Sequence, residues 1–187
     1  MEQMKKGKNE IWEWAKALLI AFAAVWLIRH FLFTPIVVDG ESMMPTLENG
    51  ERMIVNKIGY DVGEPSRFDI LVFHHAPENK DYIKRVIGLP GDHVAYKNDQ
   101  LYINGEPQKE PYLESNKSQV NGGTLTGDFN LEELTGEKVI PEGYLFVMGD
   151  NRRNSTDSRL IGLVPLEEVI GKTNIIFWPI KEIGMVE

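Results

Sequence analysis

Three separated segments hold the residue types from which a hydrolytic site can be built. Gly40-Glu41-Ser42-Met43-Met44-Pro45-Thr46-Leu47 offers a serine hydroxyl beside flexible apolar side chains and a proline. Asp81-Tyr82-Ile83-Lys84-Arg85-Val86-Ile87-Gly88-Leu89-Pro90-Gly91-Asp92 sets a lysine inside a strand-like apolar run and closes it with a Gly/Pro turn. Gly149 to Arg159 is a dense polar loop after another strand-like run. Acyl-transfer chemistry needs a nucleophile, a base and donors for the developing oxyanion. Ser42 can be the first and Lys84 the second, provided the amine is neutral. At an ordinary pKa of about 10.4, a lysine is neutral in only about one molecule in 2,500 at pH 7. Burial among apolar groups lowers that pKa by ~3–5 units, and Tyr82, Ile83 and Val86 supply such surroundings. Taken singly, each segment has an ordinary reading: a turn serine, a solvated lysine, a loop that satisfies its own hydrogen bonds. Only their combination points to chemistry.

Other chemistries lack their residues. There is no cysteine, which excludes a thiol nucleophile, a disulfide framework and a thiolate metal site. His30, His74, His75 and His93 show no HExxH or other metal-ligand spacing. No metal and no cofactor is expected. The net charge is −8, divided as +2 over residues 1–35 and −10 over the rest. No basic patch with interleaved aromatics occurs in that remainder, so nucleic acid is not an expected partner.

The elements that must position these segments fall into two parts. Ile11 to Phe33 holds an apolar core, Ala17–Ile28, that covers every helical face. Alone this core is short for a membrane span. Lys16 and Arg29 at its edges can snorkel, and Trp12, Trp14 and Trp26 suit the interfaces. From Trp12 to Phe33 a helix would cover about 33 Å, enough to cross a ~30 Å hydrocarbon layer. The bulky residues after the core do not form a signal-peptide cleavage site, so the expectation is an uncleaved single-pass anchor in the cell membrane, ended by Pro35. Lys5, Lys6 and Lys8 place residues 1–11 in the cytoplasm by the positive-inside rule. Residues 12–33 are the transmembrane helix, residues 34–187 are extracytoplasmic, and the lipid bilayer is a partner.

Beyond Pro35, β-branched and aromatic runs alternate with turn signals. Strands are predicted at 36–38, 52–55, 70–73, 82–87, 93–96, 101–103, 144–148, 169–171 and 175–178, with a helical turn at Leu131–Thr135. The polar stretch from Glu114 to Asn130 is expected to be a mobile surface excursion. The fold class is mainly β: one N-terminal transmembrane helix, then an antiparallel sandwich-like or barrel-like catalytic domain.

Together the three segments resemble the type I signal peptidases, in particular the compact Gram-positive kind. The family's serine box, Ser-Met-x-Pro-Thr, is similar to Ser42–Thr46. Its Lys-Arg-x-x-Gly-x-Pro-Gly-Asp box corresponds to Lys84–Asp92, and its Gly-Asp-Asn-Arg-x-x-Ser-x-Asp-Ser-Arg box to Gly149–Arg159. The resemblance covers essentially the whole chain. It implies a membrane-bound serine endopeptidase that removes N-terminal signal peptides from exported preproteins by a Ser/Lys dyad, cleaving after small residues at −1 and −3. It makes Ser42 the nucleophile and Lys84 the base, and sets Ser155 beside the lysine amine. Arg85, Asp150, Arg152, Asp157 and Arg159 would hold the geometry. Ile36, Val38, Met43, Tyr82 and Ile83 match the family's shallow apolar substrate pockets. The Ser42 N–H would be one oxyanion donor. Some members carry a second donor as a serine two residues before the nucleophile, where this chain has Gly40. Two other readings fit the residues less well. Self-cleaving regulators of the SOS-repressor type also use a Ser–Lys pair, but they are soluble and usually carry a DNA-binding part. A non-catalytic anchored β module would tolerate loss of Ser42.

Overall fold

The computed structural model of the chain describes residues 2–27, 29, 32–57, 64–120 and 122–186. It opens with helix α1 (Glu2–Leu27), followed by strands β1 (Phe33–Val37), β2 (Arg52–Asn56), β3 (Ile70–His75) and β4 (Lys80–Gly88). Next come β5 (Val94–Lys97), β6 (Gln100–Ile103), β7 (Glu106–Gln108), helix α2 (Glu114–Ser118), β8 (Phe129–Asn130) and helix α3 (Leu131–Thr135). The chain ends with β9 (Tyr144–Met148), helix α4 (Ser158–Ile161), β10 (Val164–Pro165), β11 (Val169–Trp178) and β12 (Gly184–Met185).

Among the described residues the strands form two sheets. The larger has eight strands in the order β1-β2-β11-β3-β4-β9-β10, with β12 on β11, and the smaller runs β7-β6-β5-β8. Every pairing is antiparallel. The expected sandwich-like or barrel-like unit is thus realised as two sheets that share a core. Strands β4 and β9 make the link. Because successive strand residues face opposite ways, Val86, Leu145 and Val147 pack with Leu71 and Phe73 on one side. Ile87, Phe146 and Met148 pack on the other side with Val94, Tyr96, Leu101 and Ile103 of the smaller sheet. Strands buried on both faces give a rigid platform, and Lys84 lies on one of them.

Several expectations are corrected. Among the described residues no helix is long and apolar enough to cross a membrane. Helix α1 has 26 residues, but its first half carries charges, and the uninterrupted apolar run inside it, Ala17–Leu27, spans only about 16 Å. The proposed 12–33 span also includes Ile28, His30 and Phe31, which lie outside the described residues, and its last residue, Phe33, is already in β1. Pro35 does not end a helix. It sits within β1, at the edge of the sheet, where its missing N–H costs no ladder bond. The strands predicted at 169–171 and 175–178 are one strand, β11, with irregular register at Thr173/Ile175 and Ile176/Trp178. The stretch from Glu114 to Asn130 contains α2 and β8 rather than loop alone. It is tied down by Asp99, whose carboxylate accepts the N–H groups of Leu125 and Thr126.

Candidate active site

Ser42 sits in a tight turn after β1. The turn closes through hydrogen bonds from Met44 N to Glu41 O (3.1 Å) and from Leu47 N to Met43 O (3.0 Å). Met43 and Leu47 are buried with Val38, Met53 and Ile70, and this anchors the turn while leaving the hydroxyl facing a cleft.

Lys84 lies on β4 directly opposite Leu71 of β3. Tyr82 and Val86 flank it on the same strand face. Its side chain is 3% exposed. The ammonium Nζ donates to Ser42 Oγ at 2.8 Å and to the carbonyl of Ile83 at 2.9 Å, and lies 5.0 Å from the centre of the Tyr82 ring. Tyr82 is itself held by stacking on His75 and an edge contact with Phe73. Burial pulls the lysine pKa down from 10.5 to about 8, against the opposing pull of the Asp157 and Asp150 carboxylates. At that value about a tenth of the amines are neutral at pH 7. A neutral amine at hydrogen-bond distance from a hydroxyl can take its proton.

The Gly149–Arg159 loop clamps these two segments together, and Asp150 is its hub. Its carboxylate receives Arg85 Nε and Nη2 at 2.9 and 2.7 Å and the Thr46 hydroxyl at 2.5 Å. Asn151 donates its backbone N–H to Ser42 O (3.0 Å) and its side-chain amide to Glu41 O (3.1 Å). Asp157 accepts from Gly149 N at 3.0 Å and pairs with Arg159 at 2.7 Å, while Arg159 also reaches Arg152 O at 2.7 Å. Gly149 has to be glycine, because a Cβ there would collide with the Ser42 carbonyl and the Ser155 side chain.

Arg152 turns away from the cleft. It pairs with Glu110 at 2.7 Å and donates to the Tyr96 hydroxyl, and its guanidinium lies near the Tyr112 ring. The Arg85 guanidinium also meets that ring, at 3.9 Å from its centre. Burial raises the pKa of both tyrosines, so their hydroxyls stay protonated. Glu110, Tyr96 and Tyr112 were not singled out from the sequence. No local spacing marks them, since the cage forms only when the smaller sheet docks.

The cleft has a volume of about 720 Å³. Ile36, Val38, Met43, Tyr82 and Ile83 line it, together with Ser42, Lys84, Gly40 and Ser155. Arg85, Asp150, Arg152, Asp157 and Arg159 do not; they stand behind it. Ser155 lines the same cleft as Lys84, and its hydroxyl is buried with no hydrogen-bond partner among the described residues. The lysine amine donates instead to Ser42 and the Ile83 carbonyl. Gly40 donates its N–H to Asn49 Oδ1 at 2.9 Å. Among the described residues no cluster of acidic or histidine side chains could hold a metal ion.

A serine hydroxyl set against a buried amine, in an open cleft on a rigid β scaffold, meets the requirements of a serine hydrolase. Residues 11–178 match the family described as signal peptidase, peptidase S26. The chain is 50% identical to signal peptidase I of Bacillus caldolyticus over 182 residues, 97% of each chain. It is 45% identical to signal peptidase IB of Staphylococcus aureus (strain COL), over 94% of this chain and 93% of that one. The crystal structure of a signal peptidase I from Enterococcus faecalis V583 is similar at a TM-score of 0.57 and 45% identity, over 59% of this chain and 97% of that one. The chain belongs to the signal peptidase, peptidase S26 family, and it is a serine endopeptidase.

Proposed function

We propose that this chain removes signal peptides from exported preproteins with Ser42 as nucleophile and Lys84 as general base, cutting after small residues at −1 and −3. The observation that carries the reading is the 2.8 Å contact between Lys84 Nζ and Ser42 Oγ, made by an amine shielded from water. In the first step neutral Lys84 takes the Ser42 proton as Oγ bonds to the scissile carbonyl carbon. The resulting ammonium returns that proton to the leaving amine as the C–N bond breaks, leaving an ester on Ser42. Lys84 then takes a proton from water, the hydroxide adds to the ester carbon, and the proton goes back to Ser42 as the acid is released. The Ser42 N–H is one donor for the oxyanion.

The cleft supports the substrate choice. Its apolar wall, built from Ile36, Val38, Met43, Tyr82 and Ile83, suits the small side chains that end a signal peptide. Arg85, Asp150, Arg152, Asp157 and Arg159 hold the three segments in register, and Ser155 shapes the wall beside the amine. Helix α1 supports attachment to a bilayer: its apolar side chains from Trp12 to Leu27 are exposed and have lipid as their natural surroundings. Such attachment keeps enzyme and membrane-bound precursor on one surface, which raises their effective concentration, and processing of exported chains puts that surface on the extracytoplasmic side. The test is processing of an exported precursor: Ser42→Ala and Lys84→Ala each abolish it, and normal processing by purified Lys84→Ala removes the lysine from the mechanism.

A further inference from the structure

A second cavity, of about 480 Å³, adjoins the cleft. Glu41 and Arg153 border both, so the two spaces meet at the turn that carries Ser42. The cleft takes its wall from residues up to Met43, whereas the second cavity takes up at Met44 and Pro45. Its other walls come from Asn116, Gln119 and Leu125 in the stretch after α2 begins.

A polypeptide cut at Ser42 does not stop at the scissile bond. An extended chain advances ~3.3–3.6 Å per residue, so within one or two residues it has passed Ser42 and needs somewhere to lie. The cleft accounts for the residues before the bond. The adjoining cavity is the continuation of that path.

We infer that the second cavity binds the first residues of the mature polypeptide, those on the far side of the scissile bond; this rests on the peptidase reading above. The chemistry of the lining fits such an occupant. Met44 and the buried Leu125 give it an apolar part, Asn116 and Gln119 add amides, and Glu41 and Arg153 put one charge of each sign at the rim. That mixture suits a backbone with variable side chains better than any single class of small ligand. The cavity is also built into the catalytic frame. Asn116 Nδ2 donates to Met44 O at 3.3 Å and to Asp150 O at 3.0 Å, and Arg153 Nη2 donates to Thr124 O at 2.7 Å across the opening. Its wall is thus fixed to the hub that holds Ser42. Met44 and Arg153 occupy positions that the serine box and the closing box leave open, so the boxes do not dictate this wall, and a preference among mature N-termini can reside there.

The experiment uses two peptides with one signal sequence, ending one residue and five residues past the bond. Remote binding energy is expressed in turnover of the longer substrate, so wild type should cleave it with a kcat/KM on the order of tenfold higher. Gln119→Trp adds bulk from an exposed position on the cavity wall and should bring the long-to-short ratio close to one, with an unchanged melting curve as the check on folding. A ratio near one in wild type, or a wild-type ratio retained by Gln119→Trp, overturns the inference. Failure of wild type to cleave either peptide overturns the peptidase reading instead.

Discussion

Arg85 and Asp150 meet as a fork, with Nε on one carboxylate oxygen at 2.9 Å and Nη2 on the other at 2.7 Å, and both side chains are sealed from solvent. The pair joins the strand that carries Lys84 to the loop that receives Thr46 and, through Asn151, the Ser42 turn. Removing one member leaves the other as an uncompensated buried charge, at a cost of ~3–5 kcal/mol. Asp150→Asn should therefore lower stability by about 3 kcal/mol or more, measured by urea denaturation, and should lower kcat as well. A stability change under about 1 kcal/mol would show that the fork is not what holds the segments together.

Gly149 packs against the Ser42 backbone with no room for a side chain. An alanine there cannot fit without moving either the Ser42 carbonyl or Ser155. Displacing a reacting group by about 1 Å costs ~100-fold in rate. Gly149→Ala is expected to lose at least that much in kcat while KM for a short precursor peptide changes little, because the apolar cleft wall lies elsewhere.

Lys84 carries a stability cost whose pH dependence comes from its shift. Its pKa is 10.5 in an open chain and about 8 in the fold. Between these values the unfolded chain holds a proton that the folded one has released, so stability rises with pH across that window. Below about 8 both states are protonated, and the fold bears the full cost of a buried ammonium, on the order of 3 kcal/mol. Above 10.5 neither is protonated and the cost is gone. Lys84→Met should thus be more stable than wild type at pH 7, by about 1–3 kcal/mol. The advantage should shrink as the pH approaches 10.5. An equal advantage at both ends would place its origin in packing rather than in charge.

The proposed pair stood out in the sequence because its surroundings are local. Ser42 sits among side chains that bury the turn around it, and Lys84 sits in a run whose neighbours must be apolar. The β character of the domain was legible for the same reason, since strand periodicity is local. What the sequence hid is what tertiary docking creates. Glu110, Tyr96 and Tyr112 enclose Arg152 only because the smaller sheet packs against β9, and Thr46 finds Asp150 across 104 positions. The bulged continuity of β11 depends on its partners β2 and β3, not on its own pattern. Pro35 looked like a helix terminator because its edge position in the sheet could not be foreseen. Ser155, which the resemblance sets beside the lysine amine, lines the cleft, and its hydroxyl finds no partner there among the described residues.

In the proposed mechanism Lys84, its pKa lowered by burial to about 8, takes the proton of Ser42. Single-turnover cleavage of a precursor peptide by the full chain, measured from pH 6 to pH 10, tests it most directly. The rate should rise through one ionisation at about 8 and then level off, with no cleavage by Ser42→Ala or Lys84→Ala at any pH. A rising limb centred near 6.5, the ordinary range of histidine, or a Lys84→Ala enzyme that keeps the wild-type profile, would contradict it.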